Sequence, residues 1–169
     1  MAFFWRLVDL FFLALAWVAG MLAAVMMVTT FSDVVLRYFF NRPIRGAFEM
    51  TEISMGLIVF FALPHMIRMR DNITVTVLYD QMPAAARWLF SLATDIVGGG
   101  LCGFIAWRMW LHGERLIRSR EVTMELAISK GLVAQTMSVL MAVAALAFLV
   151  NVLRTGLAGP RGLARQEAH

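Results

Sequence analysis

Few residues in this chain could do chemistry. The histidines are His65, His112 and His169, and Cys102 is the only cysteine. None is spaced with a Ser, Asp or Glu as a hydrolytic constellation would require, and a single cysteine cannot close an intramolecular disulfide. Paired histidines could hold haem between membrane helices. His65 and His112, however, end consecutive apolar runs, and antiparallel helices separate such ends by roughly 30 Å. The thirteen methionines bring copper to mind, but Met26-Met27 and Met66 with Met69 do not surround a point. Packing is the simpler use of these soft side chains. No catalytic residue, cofactor or metal ion is therefore expected. The carboxylates are more informative. Asp95 is the only acid deep within an apolar run. Such an acid is costly, and is either a structural group facing other helices or a proton or cation coupling site. Glu49 and Glu52 stand three apart and share a helix face. In the first turns of a helix they complement its dipole, and they could also meet basic residues of a partner.

The elements that carry these residues are membrane helices. Hydrophobic residues make up 61% of the 169 residues and charged residues 15%. Soluble domains hold roughly 45–50% and about 25%. Leu10 to Ser32 and Gly131 to Leu153 are free of charge over 23 residues each, and Trp88 to Trp107 carries only Asp95. A membrane helix needs about 20 such residues. The second run, Ile53 to Ile67, is shorter, so its helix must begin near Phe48. The reading is an all-α membrane protein with four transmembrane helices in a bundle, joined by short interfacial segments. The spans fall at about 10–32, 48–67, 87–110 and 131–153. They form one domain over 1–155, followed by a flexible basic tail at 156–169. The first run exceeds the 7–15 residues of a signal-peptide core, which favours an uncleaved anchor. The net charge is +4 and the basic residues flank the apolar runs, so nucleic-acid binding is not expected. Basic residues divide almost evenly between the two sides, and charge alone does not orient the chain. Asn41, Pro43 and Gly46 read as turn chemistry. Residues 74–78 prefer an extended interfacial segment. Ala16, Gly20 and Ala24 on the first span, and Gly99 and Gly103 on the third, are small residues at four-residue spacing. They let helices approach closely, within the bundle or against another protein.

The order of short motifs along these spans resembles the small membrane subunit (the DctQ-like small permease) of TRAP transporters, the tripartite ATP-independent periplasmic transporters. Arg37-Tyr38 follows the first span, and Glu49-Met50-Thr51-Glu52-Ile53 opens the second. Arg68-Met69-Arg70-Asp71-Asn72 leaves the second, and Met82-Pro83 leads into the third. Thr123-Met124-Glu125-Leu126-Ala127-Ile128 approaches the fourth. Asn72, Thr76 and Ser129 depart from the family's usual histidine, aspartate and proline. The resemblance implies an accessory subunit without enzymatic activity. Its partners would be a large permease subunit carrying substrate and sodium, a periplasmic binding protein delivering an organic acid such as a C4-dicarboxylate, and the lipid bilayer. It also implies the bacterial inner membrane, with both termini cytoplasmic. Arg37, Glu49, Glu52, Gly99 and Gly103 are then candidates for partner interfaces, and Arg68, Arg70 and Asp71 for a cytoplasmic-loop motif. A haem-binding cytochrome subunit and a small self-sufficient exporter are the alternatives.

Overall fold

The computed structural model describes residues 2–69 and 84–166. It contains four helices: α1 (Ala2–Phe40), α2 (Ala47–Met69), α3 (Ala84–Arg118) and α4 (Lys130–Gln166). Each is long and apolar enough to cross a membrane. Helix is the form these runs must take, because lipid offers no partner to an unpaired backbone N–H or C=O.

The helices outrun the uncharged stretches from which they were read. α1 has 39 residues, about 58 Å at helical rise, against a hydrocarbon core of about 30 Å. Arg37 to Phe40 are accordingly its last turn and not a connection. Asn41 then takes a left-handed backbone with φ of 52°, a conformation asparagine tolerates better than most residues. α2 begins at Ala47, early enough to span, and runs on through the buried Pro64. α4 continues to Gln166, through the stretch from Gly156 expected as a tail. Leu157, Ala158, Leu163 and Ala164 are good helix formers and extend a helix already nucleated. Arg70 and Asp71, the 74–78 segment and Met82-Pro83 lie outside the described residues.

The packing order is α1–α2–α4–α3. α4 lies between α2 and α3, and its small residues explain how both come close. Ala144 and Ala147 are completely buried. They share a core with Phe12 of α1, Ile67 of α2, Cys102 and Ala106 of α3, and Met141. The α3 and α4 backbones come close together at Gly113 and Gly131. A Cβ on Gly131 would stand 2.8 Å from the Gly113 carbonyl oxygen, and one on Gly113 would stand 3.1 Å from that of Gly131. Gly99 fits against Phe148, whose Cβ would lie 3.1 Å from an added methyl. Gly20 and Gly103, by contrast, have open space on their Cα. On α1 the buried face runs through Phe12, Ala19 and Asp33, while Trp17, Met21, Val28 and Phe31 face outward.

Candidate functional site

The polar groups gather at the two ends of this helix row. At the loop end, the α1–α2 and α3–α4 connections hold each other. Asp33, in the last turns of α1, accepts Arg37 Nη2 at 2.6 Å and the Ile44 amide at 2.8 Å. The turn is thereby folded back onto its own helix. Gly46 follows with φ of 77°. Its carbonyl accepts the Met50 amide, so it is the N-cap of α2. Its own amide donates to the Glu125 carboxylate from the other connection. Glu49 returns the contact. Its two oxygens accept the amides of Glu125 and Leu126, each at 3.0 Å. Gly46 is required twice, by its left-handed backbone and because Leu126 Cγ lies 2.6 Å from where a Cβ would stand.

The α3–α4 connection is itself well defined. α3 ends in a Schellman arrangement: the Glu121 amide bonds Leu116 O at 3.1 Å and the Arg120 amide bonds Ile117 O at 3.1 Å. Arg120 takes the left-handed position usually given to glycine, with φ of 51°. Val122 and Ser129 then pair as an antiparallel bridge. Thr123 Oγ1 accepts the Ile128 amide at 3.0 Å inside the loop so formed.

Between this loop and the first turns of α2 and α4 lies a groove of about 510 Å³. Glu49 and Glu52, Phe48, Met124 and Lys130 line its rim, and Met137 reaches into it over Gly56. Phe48 is 82% exposed and Met124 98% exposed. The two glutamates predicted to act as a pair are thus divided. Glu49 is engaged within the chain, and Glu52 stands exposed at the groove. Arg37 is exposed apart from its bond to Asp33.

The opposite end, where the chain termini lie, is joined by a buried cluster. Arg68 belongs to the last turn of α2 and not to a loop. Its guanidinium meets Asp9 of α1 at 2.8 Å and donates to Asn151 Oδ1 of α4 at 2.9 Å. Asn151 Nδ2 donates to Ile67 O at 2.9 Å, satisfying one of the carbonyls left open at the end of α2. Trp88 Nε1 donates to Thr155 O at 3.1 Å, joining α3 to α4 at the same end. Asp95 is buried on the side of α3 that carries Gly99, Cys102 and Ala106 toward α4. His65 lies beside the Arg68 cluster. His112 lies beside Gly113, about 30 Å away along α4 at helical rise. Among the described residues no cluster of His, Cys, Asp and Glu could hold a metal ion.

Residues 26–156 match the family described as tripartite ATP-independent periplasmic transporters, DctQ component. The chain belongs to that family. No curated protein and no solved structure matches it. The family match runs from the middle of α1 to Gly156. It takes in the whole loop end and the Arg68–Asn151 contact, with Asp9 alone of the clustered groups lying before it. As a TRAP transporter component the chain is a multi-pass membrane protein of a transport system.

Sequence reading did not single out Asp33, Glu125, Asn151 or the Gly113–Gly131 pair. Asp33 and Asn151 had a usable signal, since each is a polar residue at the edge of a long apolar run. Glu125 stood within the Thr123–Ile128 motif but its partner was not legible, and the glycine pair had no signal, because these contacts are defined only once the helices cross.

Proposed function

We propose that this chain is the non-enzymatic small subunit of a sodium-coupled TRAP transporter of the bacterial inner membrane. It would assemble with a large permease subunit that carries substrate and sodium. A periplasmic binding protein would bring an organic acid, such as a C4-dicarboxylate, to the pair. The observation that carries this reading, beside the family, is the distribution of polar groups. They join the helices at both ends, while the middle of the row is built mainly from alanine, glycine, aliphatic, aromatic and methionine side chains. Asp95 and Ser138 are the exceptions: Asp95 is turned toward α4, and Ser138 of α4 donates to the Ala106 carbonyl at 2.6 Å. Such a body suits a rigid frame and, among the described residues, offers no continuous polar route through itself.

The same reading gives the two ends different work. With both termini cytoplasmic, the clasped loops face the periplasm, and the groove with Glu52, Lys130, Phe48 and Met124 is the surface offered to the binding protein. The outward face of α1, with Gly20 among Trp17, Met21 and Phe31, is offered to the large subunit. Co-expression with a large permease subunit tests the assembly. A stable one-to-one complex in detergent is expected, with loss of the complex when Gly20 is replaced by Leu. Recovery of the chain alone under every condition would refute the reading.

A further inference from the structure

Beyond the transport assembly, the outer face of α3 carries an arrangement that neither the fold nor the loop-end clasp uses. Arg108, His112 and Arg115 follow one another at spacings of four and three residues, and all three are exposed. They lie on one helix face. Arg108 is two residues from Ala106, which packs on α4, so it points about 200° away from that contact. No carboxylate pairs with Arg108 or Arg115 among the described residues. The nearest acids are engaged elsewhere: Glu114 accepts Trp110 Nε1 at 3.1 Å and Glu121 accepts Ser119 Oγ at 3.3 Å.

The stripe begins where the apolar part of α3 ends. Trp88 to Trp107 is a run of 20 residues, about 30 Å long and equal to the hydrocarbon thickness. On the same outer face Val97, Leu101 and Phe104 are exposed. Trp107 sits at the boundary, its ring 6.2 Å from that of Phe104, at the depth where tryptophan favours the interface. Helical side chains lean toward the N-terminus, so Arg115 and His112 reach back toward Arg108. An apolar row long enough for acyl chains thus runs into three basic groups at headgroup depth.

We propose that this face binds an anionic phospholipid, with acyl chains along Val97, Leu101 and Phe104 and the headgroup phosphate held by Arg108, His112 and Arg115. Charge complementarity and depth together select a lipid. A permease helix packed at the same place would need carboxylates of its own at that depth to meet the three basic groups.

The test is lipid competition on the full-length chain, purified in neutral detergent and read by native mass spectrometry. Phosphatidylglycerol and phosphatidylcholine of identical acyl chains are added in equal amounts. The wild type is expected to retain phosphatidylglycerol preferentially. R108Q/R115Q should lower that preference by about tenfold or more, R108K/R115K should keep it, and R42Q/R45Q, exposed at the same end but on the α1–α2 connection, should not change it. If the glutamine pair does not fold, Arg115→Gln alone should give a smaller loss in the same direction. Equal retention of both lipids by the wild type would overturn the proposal, as would an equal loss in R42Q/R45Q. So would a glutamine pair that keeps its lipid preference yet no longer co-purifies with a large subunit, which would assign the face to protein.

Discussion

Arg68 and Asn151 show how a membrane helix end can be closed by side chains. The Arg68 side chain is 5% exposed while that of its partner Asp9 is 47% exposed, and Asn151 is 2% exposed. The half-exposed carboxylate sits at the edge of the cluster, where another oxygen acceptor can take its place. Asn151 has no such alternative, since it serves the Arg68 guanidinium and the Ile67 carbonyl at once. Asn151→Leu should therefore destabilise the chain by about 1–3 kcal/mol, the cost of a buried polar group left unpaired. Asp9→Asn should cost less than Asn151→Leu, because the amide oxygen still accepts from the Arg68 guanidinium. Thermal unfolding in detergent compares the two. Glu49 and Glu52 separate in the same manner. Glu49→Gln can no longer accept two amides with ionised oxygens, so the melting temperature should fall and the 119–129 loop should become open to protease. Glu52→Gln should leave both unchanged and instead slow uptake at limiting binding protein, with a weaker dependence on salt, as rim charges do. A loss of stability in Glu52→Gln equal to that in Glu49→Gln would contradict this division of roles.

The elements are held by where their glycines are, and not every small-residue stripe is used. Gly131 faces Gly113 and the Ile117 backbone, whose nitrogen would lie 2.8 Å from an added Cβ. Gly131→Leu should thus force the α3–α4 crossing apart, at a cost of about 1–3 kcal/mol or more. Gly103→Leu meets open space and should leave the isolated chain's unfolding temperature unchanged. Equal effects would mean that the crossing is not where the glycines place it. Four spans and their helical nature were legible in the sequence, because uncharged runs of this length have few other solutions. The helix ends were less so. Arg37 and Arg68 read as loop residues because charge was taken to end a span, whereas an arginine pairs with Asp33 or with Asp9 and stays in the helix. The choice between Gly99 and Gly103 was not legible either, since four-residue spacing shows that a face is smooth and not what lies against it. The split of Glu49 from Glu52 depended on a loop more than 70 residues away.

At the scale of the whole molecule, two clasped ends and a largely apolar middle suit a body that holds its shape in the bilayer. A loop-end groove, the outer face of α1 and the cationic stripe of α3 remain directed outward. Carriage of a solute belongs, on this account, to the large subunit. The central claim is tested most directly by sodium-driven uptake of C4-dicarboxylates into proteoliposomes. Three preparations are compared: this chain alone, the chain with a large permease subunit, and both with the binding protein. Uptake is predicted only in the third, and it should disappear when this chain is omitted. Solute accumulation by vesicles holding this chain alone, or undiminished uptake without it, would contradict the account.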